Sequence, residues 1–118
     1  MLRKKFGDLG ERIAQRYMEE KGYALWRKNF HGRVGEIDLV MLKRRIFLCV
    51  EVKLRTSLCA GYPEEAFTYQ KMRKVYIVAY KVQQEYFPDH TLRIDGISIR
   101  YDTQKRTAFL KHWPNLFI

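Results

Sequence analysis

At 118 residues the chain is long enough for one modest hydrophobic core, and a single domain spanning 1–118 is expected. Its composition is globular, with 47% hydrophobic residues. No segment approaches the roughly 20 uninterrupted apolar residues of a membrane span, and the start, MLRKKFGDLGER, has no apolar leader, so a cytoplasmic protein without a membrane partner is expected. A net charge of +10, from 23 Lys and Arg against 13 Asp and Glu, suggests a basic surface that meets a polyanion. The same groups also serve as a solvated face that keeps the protein in solution. Nucleic acid is the expected polyanion, because no long basic amphipathic helix presents an apolar face to an anionic membrane. Cys49 and Cys59 lack metal-ligand spacing and read as reduced thiols.

Asp8 to Lys21 reads as a helix. Gly10, Ile13, Ala14, Tyr17 and Met18 form its apolar stripe, and Gly22 stops it. Tyr23 to Phe30 reads as a strand and HGRVG as a glycine-rich turn. EIDLVMLK and IFLCVEVK then read as two strands joined at Lys43-Arg44-Arg45. After a loop over 57–62, Pro63 suits the first turn of a second helix running to about Tyr86, with Glu64 and Glu65 at its positive end. LRIDGISIRY follows as a strand, and TAFLKHW as a further one. The expected class is therefore α/β: an αβββαβ core with a mixed central sheet flanked by helices.

Strand residues two apart share a face, so Cys49, Glu51 and Lys53 point one way and Leu48, Val50 and Val52 the other. In the preceding strand Glu36, Asp38 and Val40 share a face. If Lys43 pairs with Ile46, the same register sets Asp38 directly opposite Glu51, with Cβ atoms roughly 4.5–5.5 Å apart. Like charges face to face are unfavourable unless compensated. A hard divalent cation, Mg²⁺ or Mn²⁺, is one compensator; a surface network with Lys53 and nearby arginines is the other. Glu11 lies at the edge of the first helix's stripe, where a carboxylate can point along the sheet. Lys71 heads the apolar stripe Val75, Val78, Val82, where it either snorkels to water or presents an ammonium to a phosphate, with Gln70 beside it. His31, His90 and His112 read as structural or exposed. Cys49 lacks a paired histidine and does not read as a nucleophile.

At these residues the chain closely resembles the YraN family of small bacterial proteins, over GDLGERIAQRYMEEKGY, RKNFHGRVGEIDLVMLK, FLCVEVKLRT, EEAFTYQKMRKV and RIDGISI. That family resembles the PD-(D/E)xK nuclease superfamily and, within it, the archaeal Holliday junction resolvases. The resemblance implies a restriction-endonuclease-like αβββαβ core, a divalent metal and phosphodiester cleavage. Its motif falls on Asp38, Glu51 and Lys53, with Glu11 as the helix acid and Lys71 as the basic position of the second helix. GEID stands where the superfamily often has a Pro-Asp or Gly-Asp pair, and residues 102–118 lie outside the resemblance.

The function expected is that of a metal-dependent endonuclease-like protein acting on DNA, selective for structure rather than sequence. Asp38, Glu51, the Val52 carbonyl and Glu11 are the expected ligands of Mg²⁺ or Mn²⁺, with Lys53 orienting the attacking water. Lys71, Arg55, Gln70 and Arg33 are the expected contacts to nucleic acid, mostly to phosphates, which position a strand without reading its sequence. The alternative is a non-catalytic nucleic-acid-binding or assembly module that keeps the fold. By analogy with the resolvases, a homodimer would suit two-fold substrates. The segment HWPNLFI is apolar enough to pack on the sheet or to form such a dimer surface.

Overall fold

The computed structural model describes residues 2–57 and 61–116. Cys59 therefore lies outside the described residues. The chain runs α1 (Leu2–Glu20), β1 (Ala24–His31), β2 (Glu36–Lys43), β3 (Ile46–Arg55), a 3₁₀ turn (Pro63–Ala66), α2 (Tyr69–Tyr86), β4 (Thr91–Asp102) and β5 (Thr107–Trp113). The five strands form one mixed sheet in the order β1-β2-β3-β4-β5, antiparallel except for the parallel β3–β4 pair that α2 connects. This is a mixed α/β fold consistent with a restriction-endonuclease-like core, and TAFLKHW is its fifth strand.

Alternation sorts the apolar residues of the central strands onto two faces. Leu48 and Val50 pack with Ala14 and Met18 of α1, Leu39 and Met41 of β2, and Ile97 and Ile99 of β4. Phe47 and Cys49 pack with Met72, Val75, Val78 and Val82 of α2. The sheet is thus covered on both faces, as a parallel crossover requires.

Helix α1 begins at Leu2, six residues earlier than the apolar stripe indicates. The added turns dock through Phe6, whose ring lies 6.1 Å from that of Tyr101 on β4. At its other end Tyr23 N donates to Met18 O and Gly22 N to Glu19 O, with Gly22 at φ +95°. This Schellman closure needs a left-handed residue, which glycine supplies without steric cost.

The single helix expected from Pro63 is two elements. Pro63–Ala66 is a 3₁₀ turn that ends at Phe67, and α2 starts afresh after Thr68, whose Oγ1 accepts from Lys71 N at 3.2 Å. The break lets the Phe67 ring drop onto β4 over Gly96. A Cβ on Gly96 would come within 2.8 Å of Phe67 Cε2 and closer still to Leu116 Cδ1. Of the C-terminal segment, Trp113 Nε1 donates to Ser98 Oγ and Leu116 N to Ile94 O. The described part of HWPNLFI therefore packs back on the sheet. Among the described residues no helix is long and apolar enough to cross a membrane.

Candidate functional site

The β2–β3 ladder pairs Lys43 with Ile46 through Leu39 with Val50. One step beyond, side chains replace it. Asp38 N donates to Glu51 Oε2 at 3.2 Å, and Val52 N donates to Asp38 Oδ2 at 2.8 Å. Each carboxylate holds the opposite strand's backbone, and the two acids stand side by side as the hairpin register predicts. Simple alternation does not extend through Asp38, because Ile37 joins Val40 in the cluster beneath α2.

The pair is poorly solvated. Glu51 is 1% exposed, and Asp38 is half-buried. Gly96 is the β4 neighbour of Glu51, so Phe67 and Leu116 form an apolar wall beside that carboxylate. Burial, and then the charge of Asp38, push the Glu51 carboxyl well above the ordinary value of 4.5. Burial likewise raises Asp38, against the pull of the Val52 amide and of Lys71 and Lys53 through space. The ammonium groups of Lys71 and Lys53 therefore belong to the same electrostatic site. Cys49, one pleat from Glu51, is fully buried, and burial raises its thiol. It is a core residue.

Glu11 of α1 lies close enough to Asp38 to feel its charge. Burial and then the Asp38 charge raise its carboxyl. Asn29 binds it: with the amide turned so that its nitrogen meets acceptors, Nδ2 donates to Glu11 Oε2 at 3.1 Å and to Oε1 at 3.3 Å. Asn29 is left-handed, at φ +52°, inside β1 between the Lys28–Leu39 and Phe30–Ile37 pairs. That places it across from Asp38. Sequence reasoning missed Asn29, although an asparagine in mid-strand is a signal in itself, disfavoured there yet tolerant of left-handed backbone.

The other expected contacts separate. Lys71 is half-buried in the first turn of α2, and Gln70 beside it is exposed. Arg33 lines a groove of about 700 Å³ with Phe30, Val34, Ile77 and Lys81, farther along α2. Arg55 ends β3 beside Arg100 and lines a different hollow.

The donor set fits a hard cation: two carboxylates on adjacent strands, crowded by like charge and by burial, with the Val52 backbone between them. Among the described residues no three His, Cys, Asp or Glu side chains converge as a metal-ligand group. The pair would hold Mg²⁺ or Mn²⁺ with backbone and water completing the shell, in keeping with how Mg²⁺ is usually bound.

A second buried carboxylate is built differently. Asp95, on β4 next to Val50, is 0% exposed. Its Oδ1 accepts from Arg93 Nε at 3.1 Å and Asn115 N at 3.1 Å. Its Oδ2 accepts from Arg93 Nη2 at 3.0 Å and His112 Nε2 at 2.7 Å. Arg93 also donates to Tyr23 Oη. His112 is thus structural, while exposed His31 contacts Glu36.

Fold and site together define a mixed α/β protein with a restriction-endonuclease-like arrangement and a buried acidic pair at the end of its central hairpin. The chain belongs to the uncharacterised protein family UPF0102, whose model matches residues 10–99; this is the family of the YraN proteins its motifs resemble. A UPF0102 protein of Caldanaerobacter subterraneus subsp. tengcongensis is 37% identical, covering 89% of this chain and 87% of that protein. One of Syntrophomonas wolfei is 37% identical over 98% of this chain and 100% of its own length. One of Alkaliphilus metalliredigens is 33% identical over 94% and 98%.

Proposed function

We propose that this protein is a metal-dependent nuclease that binds DNA and hydrolyses its phosphodiesters, with selectivity for branched structures. The observation that supports this most is the Asp38–Glu51 pair: two like charges set side by side where solvent reaches poorly, each held by the other strand's amide. Those two hydrogen bonds leave the repulsion between the acids uncompensated, and a divalent cation would relieve it. Asp38, Glu51 and the Val52 carbonyl would ligate Mg²⁺ or Mn²⁺, with Glu11 as the outer acid oriented by Asn29. The cation, when bound, neutralises charge on the phosphate and makes a water more acidic. Lys53 orients the attacking water or stabilises charge developing on the phosphoryl oxygens, and Lys71 holds a phosphate from the α2 side. The water gives up a proton as its oxygen bonds to phosphorus, one ester P–O bond breaks, and the leaving oxygen takes up a proton. Phosphate contacts of this kind favour recognition of structure over sequence.

A second reading, a nucleic-acid-binding module without turnover, draws support from the two-carboxylate count, since no third side chain joins the pair among the described residues. The two readings separate in one experiment. Labelled duplex, single-stranded, flap, fork and four-way junction DNA is incubated with Mn²⁺ at low salt, with wild type and with Glu51→Gln and Lys53→Ala. The nuclease reading expects wild type to cut at least one substrate and both variants to cut none. Equal binding by all three without cleavage would establish the second reading.

A further inference from the structure

The end of β3 carries the inverse of the acidic pair. Arg55 and Arg100 are register neighbours across the parallel β3–β4 ladder, so two arginine side chains leave adjacent strands on the same face, the Arg100 guanidinium lying over the Phe109 ring at 5.3 Å from its centroid. Like charges so placed repel, as the carboxylates do. Arg55 Nε is buried and has no hydrogen-bond partner among the described residues. Both arginines line a hollow of about 400 Å³ with Thr56, Ser57, Thr103 and Phe109. Among the described residues its one acid, Asp102, is engaged in the β4–β5 turn, where its Oδ1 accepts from Gln104 N and Lys105 N. A buried donor without a partner beside a second cation and several hydroxyls is the complement of an oxyanion.

We propose that Arg55 and Arg100 form a phosphate-binding pocket, filled in function by a backbone or terminal phosphate of the nucleic acid. Arg55 shares the face of Glu51 and Lys53 and lies four residues farther along β3, roughly 13 Å away at 3.3 Å per residue. The pocket would hold a phosphate a few nucleotides from the bond being cut. That role in cleavage rests on the nuclease reading; the pocket itself rests on the arginine pair. The guanidinium fork suits such a phosphate better than an ammonium would.

The test uses the full chain without divalent metal. Thermal melts are followed against inorganic phosphate, with sodium chloride matching the ionic strength, for wild type, Arg55→Ala, Arg100→Ala and, as a surface control, Arg16→Ala. Phosphate is expected to raise the melting temperature of wild type saturably. Each pocket variant should weaken phosphate roughly tenfold, as expected for one charge-assisted hydrogen bond, and Arg16→Ala should leave it unchanged. A purely structural role for the arginines predicts the reverse, with melting temperatures lowered before phosphate is added and the phosphate response intact, and that result overturns the proposal. Titration with short oligonucleotides bearing a 5′-phosphate or a 5′-hydroxyl separates the sources. Preference for the 5′-phosphate assigns a terminal phosphate, and equal, pocket-dependent binding assigns the backbone. Oligonucleotide binding indifferent to both arginines sinks the pocket. The cleavage assay is read separately. Loss of cleavage in Glu51→Gln with no effect of the pocket variants on phosphate removes this proposal alone, whereas pocket-dependent phosphate binding without any cleavage removes the nuclease reading alone.

Discussion

Asp95 and the Asp38–Glu51 pair are both carboxylate sites in the same sheet, one strand apart, and burial has opposite consequences for them. Asp95 receives four hydrogen bonds, three of them from Arg93 and His112, so its charge is matched where it sits. Asp38 and Glu51 receive backbone amides; the strongest charge acting on Glu51 is that of Asp38, while Lys71 and Lys53 offset the burial of Asp38 only in part. A buried charge with a complete set of donors fixes a structure. A buried charge facing its like leaves a deficit that a ligand can fill.

The largest effect should come from substituting the pair itself. On the proposed nuclease reading, wild type should cut DNA with Mn²⁺ and melt higher in its presence; Asp38→Asn or Glu51→Gln should lower that cleavage roughly a hundredfold or more and abolish that rise. Turnover assays and melts with and without Mn²⁺ check this; a Glu51→Gln protein that still responds fully to Mn²⁺ would break the contrast. Next comes Asp95→Ala, which strands Arg93 and should cost about 3–5 kcal/mol in urea unfolding. Metal-free Glu51→Gln, by contrast, should be as stable as wild type or more so.

That gain has a pH signature. The folded pair holds protons above the ordinary carboxylate values of 3.8 and 4.5, so between those values and the raised ones the native state binds more protons than the unfolded chain. Stability contributed by the pair is therefore full at low pH and is lost as pH rises through the raised values. Melts of wild type and Glu51→Gln, followed as pH rises from the ordinary value of 4.5 through the raised one, should diverge in the variant's favour; parallel curves would refute the assignment. Metal affinity should rise over the same interval, as protons cease to compete. The smallest effect is expected from His112→Gln, about 1–2 kcal/mol, because Arg93 and the Asn115 amide remain on Asp95.

The acidic pair was legible because it depends on local arithmetic. Once Lys43 pairs with Ile46, the apolar residues of both strands fall on packed faces and Asp38 must meet Glu51. What escaped depends on distant partners. Leu2 to Gly7 carry no stripe that announces a helix, and their docking is decided by Tyr101, almost the whole chain away. Pro63-Glu64-Glu65 has the composition of a helix start, and only the seat of Phe67 over Gly96 makes Thr68 the true cap. Arg93 and Asp95, two apart in one strand, could have been read as an ion pair. That His112 completes it follows only from the β4–β5 register. Asn29 was passed over for the same reason, since its role lies in Glu11 on another element.

The chain distance between the two carboxylates also sets when they come together during folding. Asp38 and Glu51 are 13 residues apart in one hairpin, whereas the strand carrying Gly96 arrives only after α2 has crossed. Contacts near in sequence close before remote ones. The acids would first meet while still hydrated, where their repulsion is weak. They would lose that water only when Phe67, Leu116 and α2 settle over them. Where that closure follows the rate-limiting barrier, Glu51→Gln should slow unfolding while leaving the folding rate nearly unchanged. The acidic pair would then hasten escape from the native state without delaying its formation.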